Sequence, residues 1–153
     1  MTKDQTLVIC SSAAFYRHVC EIADELAKLG FSSVVIPKTA QKMRETGDYD
    51  VEHYKTWYEN ESTYDKKADF MRSHFDEITA GDAVLVVNDE KHGVPGYIGP
   101  NVLMEMSLAW YQRKPIYILN ELPKNSPFEE ELKGMMPTML DGDLNKVGSS
   151  AKK

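Results

Sequence analysis

The six residues AVLVVN at positions 83–88 constrain the fold more than any other part of the sequence. The run is continuously apolar apart from its last residue and rich in β-branched side chains. Such a run is typical of a strand that is covered on both faces, at the centre of a parallel sheet. Parallel neighbours need long crossover connections, so helices are expected between the strands.

The start of the chain follows the same alternation of strand and helix. TLVIC at 6–10 has the pattern of a buried strand, and apolar residues at three- and four-residue spacing from Phe15 to Leu29 predict a helix. Gly30 stands where a helix-ending glycine is expected. A second strand is predicted at 33–36, and a right-handed crossover should make it parallel to the first.

The remaining elements are predicted with the same rules. The connection at 38–61 is long and has helical spacing only at Val51, Tyr54 and Tyr58, which indicates a short helix there. The other predicted elements are a helix over 64–78, a helix from about 101, a strand over 115–120, a short helix over 127–134 and a brief edge strand at 139–140.

This pattern predicts an α/β protein of three layers, with helices on both faces of a mainly parallel sheet. For a chain of 153 residues the flavodoxin-like (Rossmann-like) strand order 2-1-3-4-5 is the natural choice. We expect one domain over 1–146 and a flexible tail over 147–153, since VGSSAKK has no apolar periodicity.

Charge and hydropathy exclude several classes of function. Eighteen Lys and Arg stand against twenty-four Asp and Glu, a net charge of −6, which argues against binding of a nucleic acid polymer. The start of the chain lacks the apolar core of a signal peptide, and no apolar run is long enough to cross a membrane. Cys10 and Cys20 are expected to be reduced core thiols. A cytoplasmic protein is predicted.

The predicted sheet order places the ligand site at the carboxyl ends of the first and third strands. Ser11 and Ser12 follow the first of these strands, and Asn88 and Asp89 follow the third. A loop rich in glycine and proline then leads to a helix that carries Glu105. These residues are therefore predicted to share one edge of the sheet.

Glu105 is the strongest candidate for a catalytic residue. Near a helix start, the macrodipole favours the ionised carboxylate, which can stabilise or trap an oxocarbenium-like sugar carbon. The alternative is an ordinary acidic residue near a helix N-terminus. Asp89 is a candidate general acid or base, or else an Asx turn that closes a strand. Asn88 can bind a substrate edge or hold its own loop.

Other features suggest ligand contacts but no cofactor. Ser11 and Ser12 precede a helix start and can hold an anion with help from Arg17, or simply cap the helix. The glycine patterns of dinucleotide and P-loop sites are missing, and the four histidines have no metal-ligand spacing. No cofactor or metal is therefore expected. The aromatic residues at 49, 54, 57 and 58 are candidates for a lid that stacks on a nucleobase, or for a core or subunit contact.

The segment 81–123 resembles the nucleoside 2-deoxyribosyltransferase superfamily. In that family a strand ending in a polar or acidic residue leads through a loop into a helix of the form G-x-N/T-x-x-x-E-x-G/S-x-A. A pair made of a basic residue and a proline or apolar residue follows the helix, and then a strand. The matching residues here are Gly99, Asn101, Glu105, Ser107 and Ala109, followed by Lys114 and Pro115.

The resemblance implies cleavage or transfer at the N-glycosidic bond of a (deoxy)nucleoside or a nucleoside 5′-monophosphate, with Glu105 as nucleophile and Asp89 as the assisting acid. It also implies contacts from Gly99 and Asn101 and a homodimer or higher oligomer. Two features depart from the family. The first strand lacks the usual tyrosine, which Tyr16 is a candidate to replace, and Ser11-Ser12-Ala13-Ala14 stands in place of the glycine-rich phosphate turn. A non-catalytic nucleotide sensor of the same fold is the alternative.

Overall fold

The computed structural model describes residues 1–57 and 59–148 and has a sheet of five parallel strands. The strand order is β2-β1-β3-β4-β5, as predicted. The strands are β1 (Thr6–Ser11), β2 (Ser33–Val35), β3 (Ala83–Val87), β4 (Ile116–Ile118) and β5 (Thr138–Met139). The predicted flavodoxin-like architecture is therefore confirmed.

Within the described residues, five α-helices flank the sheet. They are α1 (Tyr16–Lys28), α2 (Lys38–Thr46), α3 (Tyr64–Ala80), α4 (Pro100–Tyr111) and α5 (Glu129–Gly134). The sequence did not predict α2, because this polar helix buries only Ala40 and Met43 and has almost no apolar stripe. The short helix expected around 51–58 is a 3-10 turn at Val51–His53, and Tyr58 lies outside the described residues.

The alternation of side chains along β1 divides the core into two layers. Leu7 and Ile9 pack on the face covered by α1, and Val8 and Cys10 pack on the opposite face, against α3 and α4. β3 divides in the same way, because successive side chains of a strand point to opposite faces. Each fully buried aliphatic side chain contributes about 1.5–3 kcal/mol, so the two layers hold the helices firmly on the sheet.

The strand order reverses between β1 and β3, which are neighbours in the sheet. Cys10 pairs with Val86 and Ser11 with Val87, so both strands end at the same level. The crossover connections of β1 and β3 leave toward different neighbours and open a crevice at this edge. This crevice lies at the carboxyl ends of β1 and β3, where the sequence analysis predicts the ligand site.

Lys114, from the basic-proline pair after α4, holds two helices together. Its ammonium group donates hydrogen bonds of 2.6 Å to the carbonyl oxygens of Ile78 and Thr79, in the last turn of α3. A cation at a helix C-terminus satisfies unpaired carbonyls and complements the macrodipole. This contact keeps the C-terminal ends of α3 and α4 together beside the sheet.

Asn88 fixes the loops that follow β3 and β4. Its amide donates to the carbonyl oxygens of Glu121 at 2.9 Å and Asn120 at 3.3 Å, and its side-chain oxygen accepts from the Asn120 backbone at 2.9 Å. Asn88 is also completely buried. The sequence analysis proposed it for substrate binding, but all of its polar capacity is used inside the protein, so the structure gives it a supporting role.

The end of the described chain is packed. Val147 is only 8% exposed and belongs to the core layer beneath α1, although the sequence analysis placed the start of a flexible tail there. The rest of that predicted tail, 149–153, lies outside the described residues. Within the described ranges, no helix is long and apolar enough to span a bilayer.

We expect Gly96→Ala to destabilise the protein much more than Gly93→Ala. Both glycines have left-handed backbone, with φ of 69° and 73°. A side chain costs about 1–2 kcal/mol in that conformation at either position. A Cβ at Gly96 would also overlap the carbonyl oxygen of Glu121, whereas a Cβ at Gly93 would meet no atom within 4 Å among the described residues.

Urea unfolding of the two variants measures this difference. Gly96→Ala should lose at least about 2 kcal/mol more unfolding free energy than Gly93→Ala, since the loop after β4 must shift. Equal losses would mean that the loop is not held closely against Gly96.

Candidate functional site

A cavity of about 860 Å³ opens at the carboxyl edge of the sheet, where β1 and β3 end. Its walls come from the β1–α1 turn, the loop before α4, the first half of α4, α3 and the segment around 51–57. Six residues that the sequence analysis proposed for the site line this cavity, namely Ser11, Ser12, Tyr16, Gly99, Asn101 and Glu105. Asn88 and Asp89 are not among the lining residues.

Glu105 lies on the inner side of α4 and is only 9% exposed. Pro100 is the first residue of the helix, so Glu105 is beyond the first turn, where the macrodipole acts most strongly. Burial raises the pKa of the carboxyl group above its ordinary value of 4.5, while the charges of His74 and Lys67 act against this rise. Burial therefore outweighs the helix effect expected from the sequence.

His74 on α3 stands between two carboxylates. Its Nε2 lies 3.5 Å from a Glu105 oxygen, and its Nδ1 lies 3.6 Å from a Glu77 oxygen. Burial by itself would lower the pKa of His74, but the contact with Glu77 and the two negative charges raise it above 6.5. The imidazolium form is thus favoured and partly balances the buried negative charge.

Cys10 and Tyr16 complete the surroundings of Glu105. The Cys10 Sγ, a His74 ring nitrogen and a Glu105 oxygen all lie within 4.8 Å of one another. Burial raises the pKa of the Cys10 thiol and that of the Tyr16 hydroxyl, and the charge of Glu105 raises both further. Both groups therefore stay protonated near neutral pH and are suited to donate rather than to carry charge.

Much of the hydrogen-bonding capacity in this cluster is unused. Both ring nitrogens of His74, one oxygen of Glu77 and one oxygen of Glu105 are buried and have no hydrogen-bond partner among the described residues. A buried polar group without a partner costs about 1–3 kcal/mol, and more if it is charged. Such a cluster is unusual in a purely structural core and is typical of a site that acts on a ligand.

Lysine side chains bring positive charge to the lining of the cavity. The Lys91 ammonium donates a 3.1 Å hydrogen bond to the Ser12 hydroxyl and lies 5.2 Å from the centre of the Tyr97 ring. Burial lowers the pKa of both Lys91 and Lys67, and the charge of Lys55 lowers each further. Lys55 also lines the cavity, so the lining contains these three cations as well as the carboxylates of Glu52, Glu77 and Glu105.

Aromatic residues line the cavity together with these lysines. Trp57 and Phe70 have ring centres 6.1 Å apart, and both line the cavity together with Tyr54. The candidate lid residue Tyr49 has a different place, since it packs on the core and lies 4.6 Å beneath the Arg17 guanidinium. Arg17, proposed as an aid to anion binding, is thus engaged outside the cavity lining.

Asp89 faces away from the cavity lining. One of its oxygens lies 2.7 Å from Nδ1 of His18 on α1, and the other accepts a 3.4 Å hydrogen bond from the Asn120 side chain. These contacts connect the loop after β3 to α1 and to the loop after β4. The structure therefore does not bring Asp89 to Glu105, and it gives the proposed assisting acid the geometry of a loop anchor.

The sequence analysis missed the residues closest to Glu105, which are Cys10, His74 and Glu77. Cys10 was interpreted only as a core thiol, although strand alternation places it on the same face as Val8, against α3 and α4. His74 lies four residues before the buried Ile78, on the inner face of α3. A polar residue on the predicted inner face of a helix was the available signal.

Comparison with known proteins gives no identification of this chain. The chain matches no protein-family model, and neither the curated proteins nor the solved structures provide a significant match. The interpretation of the site therefore depends on the geometry and chemistry described above.

Proposed function

We propose that the protein cleaves the N-glycosidic bond of a nucleoside 5′-monophosphate, with Glu105 as nucleophile. The observation that carries this proposal is a buried carboxylate, that of Glu105, which lines a cavity together with aromatic and lysine side chains. A nucleotide has matching parts, namely a flat base, a reactive sugar carbon and an anionic phosphate. The proposal agrees with the resemblance of residues 81–123 to the nucleoside 2-deoxyribosyltransferases.

The chemistry follows from the position of Glu105. A carboxylate oxygen attacks C1′ of the sugar, the C1′–N bond breaks, and its electron pair leaves with the base, which takes up a proton. The product is a glycosyl ester on Glu105. Water or a second base then attacks C1′ and releases the carboxylate, which gives a hydrolase or a transferase, respectively.

The neighbours of Glu105 support this role. His74 and Lys67 supply positive charge that favours the ionised carboxylate, against the effect of burial. The Tyr16 hydroxyl and the Cys10 thiol are protonated groups next to the carboxylate and can hold its orientation. We therefore propose Tyr16, which lines the same cavity, as the supporting tyrosine that the first strand lacks.

The phosphate is the part of the substrate that the lysines favour. The chain carries a net charge of −6, yet Lys55, Lys67 and Lys91 all line the same cavity. Lysine side chains that line a cavity of an acidic protein attract small anions and favour them over neutral nucleosides. The Ser12 hydroxyl, which accepts from Lys91, is a candidate hydrogen-bond donor to the phosphate, whereas the Ser11 hydroxyl donates to the Ser12 carbonyl oxygen.

We also propose that the protein forms a homodimer or higher oligomer in the cytoplasm. Large hydrophobic side chains are exposed on α3 and α4, namely Tyr64, Phe70, Met104, Trp110 and Tyr111. Phe70 and Met104 also line the cavity, so a second copy seated on these helices would reach its mouth. An exposed group of this kind is typical of a subunit contact.

Glu105→Gln should abolish base release, while Asp89→Asn should keep most of it. The amide at position 105 cannot form the glycosyl ester, so we expect a loss of at least about 1,000-fold in kcat. Asp89 is bonded to His18 and Asn120 outside the cavity lining, so its amide variant should change kcat by less than about 10-fold.

Chromatography of free base from a panel of nucleoside 5′-monophosphates measures both rates, and addition of a second base separates transfer from hydrolysis. Near-normal turnover by Glu105→Gln would remove Glu105 from the mechanism. The wild type could instead release no base, while some compounds raise its melting temperature and are recovered chemically unchanged. That result would identify the protein as a nucleotide sensor.

Lys91→Met should impair the use of 5′-monophosphates more than the use of the corresponding nucleosides. Loss of one ammonium group beside the phosphate should raise KM for the monophosphate about 10-fold or more and leave KM for the nucleoside nearly unchanged. Lys124→Met is the matched control, since Lys124 is exposed and is not among the cavity-lining residues. Equal changes in KM for the two substrates would place the phosphate elsewhere.

A further inference from the structure

We propose that Cys10, His74 and Glu105 form a binding site for one thiophilic divalent cation such as Zn²⁺, and that the bound cation takes Glu105 out of use as a nucleophile. The three residues come from β1, α3 and α4, and their ligand atoms lie within 4.8 Å of one another. The binding site is inferred from geometry alone, whereas the effect on Glu105 rests on the proposed function.

The donor set matches zinc rather than the hard cations. Thiolate, imidazole and carboxylate are the three ligand types that Zn²⁺ uses, whereas Mg²⁺ and Ca²⁺ prefer oxygen ligands alone. In a tetrahedral zinc site, nitrogen and oxygen ligands are about 3.3 Å apart. The His74 Nε2 and the Glu105 oxygen are 3.5 Å apart, so this pair already has nearly the required separation. The Cys10 contact needs an adjustment of about 1 Å.

His74 also has the partner that a metal-bound histidine requires. Its Nε2 faces Glu105 and its Nδ1 faces Glu77, at 3.6 Å. Metal-ligating histidines commonly donate their second ring nitrogen to a carboxylate, which fixes the tautomer and the ring orientation. Glu77 has this supporting position, so the site includes a second layer as well as its ligands.

The unused polar capacity of the cluster is the independent observation. His74 and Glu105 are each nine-tenths buried, and both His74 ring nitrogens and one Glu105 oxygen have no hydrogen-bond partner among the described residues. A cation bound between them would satisfy the His74 Nε2 and the Glu105 oxygen, leave the His74 Nδ1 to donate to Glu77, and balance the charges of the two carboxylates. Glu77, His74 and Glu105 also line the cavity, which provides a route of entry and a fourth position for water.

Binding is a ligand exchange with no change of oxidation state. The Cys10 thiol loses its proton to solvent as the sulfur–metal bond forms, and His74 must give up the proton on the nitrogen that coordinates. The Glu105 oxygen that would attack C1′ donates its electron pair to the metal instead. Metal binding and glycosyl transfer are therefore mutually exclusive at this residue.

The experiment uses the full chain, freed of metal with a chelator and exchanged into chelator-free buffer. Titration with Co²⁺ should produce the near-ultraviolet charge-transfer band of a cobalt–thiolate bond, saturating at one equivalent per chain. Competition with a coloured zinc indicator gives the Zn²⁺ affinity. Cys10→Ser and His74→Asn should each weaken Zn²⁺ binding by more than about 100-fold, and Glu77→Gln by about 10- to 100-fold.

Cys20→Ser is the matched control, because Cys20 is the other buried thiol, and its sulfur faces the Ala40 carbonyl in the opposite core layer. This variant should keep the cobalt band and the zinc affinity. Circular dichroism and melting of the metal-free variants check folding, and His74→Asn still tests the site if Cys10→Ser does not fold. A missing cobalt band in the wild type, or an unchanged band in Cys10→Ser, would overturn the site.

The effect of the cation on Glu105 is measured in a separate experiment, by the release of base. One equivalent of Zn²⁺ should abolish release of base by the wild type, and excess chelator should restore it. Undiminished release of base with zinc bound would overturn the claim that the metal blocks Glu105. It would leave the metal site itself supported. A cobalt band in a protein that releases no base under any condition would instead contradict the proposed function and leave the metal site standing.

Discussion

The site depends on one costly interaction, the burial of the Glu105 carboxylate beneath a cavity. A carboxylate removed from water must be balanced by nearby positive charge and hydrogen-bond donors, or it takes up a proton. His74 and Lys67 supply the charge, and Cys10 and Tyr16 are protonated neighbours. The balance is incomplete, because one oxygen of Glu105 has no hydrogen-bond partner among the described residues and only the 3.5 Å ion pair with His74 beside it. The lone pairs of that oxygen are therefore available to a bound ligand.

The fold supplies this arrangement through the pairing of β1 with β3. Because their last residues pair at the same level, Cys10 lies beneath the crevice and Ser11 lines its wall. Strand alternation then turns Cys10 toward α3 and α4 and away from α1. The ammonium group of Lys114 holds the end of α3 beside α4, which keeps His74 next to Glu105. A substitution that alters any of these contacts would therefore displace a side chain of the site, although the substituted residue is not itself part of the site.

The sequence predicts the frame of this protein better than its polar cluster. The AVLVVN run and the stripe of α1 have strong periodicity, and both elements are present as expected. Glu105 was found because a helix of recognisable pattern carries it beyond a glycine-rich loop. Helix α2 was missed because it buries too few apolar side chains to leave a stripe.

His74 and Glu77 illustrate a different limit. Residues from three separate elements meet at Glu105, and no spacing within one segment signals such a meeting. Metal-ligand spacing along the sequence detects ligands within one helix or turn. It does not detect ligands that come from different strands and helices. Asp89 illustrates another limit, since it follows β3 as predicted but its side chain contacts His18 on α1. Position along a strand fixes the edge of the sheet, whereas the loop geometry decides which way the side chain points.

A structural role alone does not explain the cluster around Glu105. A buried ion pair is often no more stabilising than apolar residues of the same volume, and unpaired polar atoms make it worse. Val8, Val86 and Met106 surround Cys10 in the same core layer, so an apolar side chain at position 74 would extend that layer without any desolvation cost. The proposed nucleophilic attack by Glu105 and the proposed binding of a cation by Cys10, His74 and Glu105 both need electron pairs that have no hydrogen-bond donor within the described residues. The two proposals therefore share one physical origin, and they differ in whether the sugar carbon or a metal ion accepts those electrons.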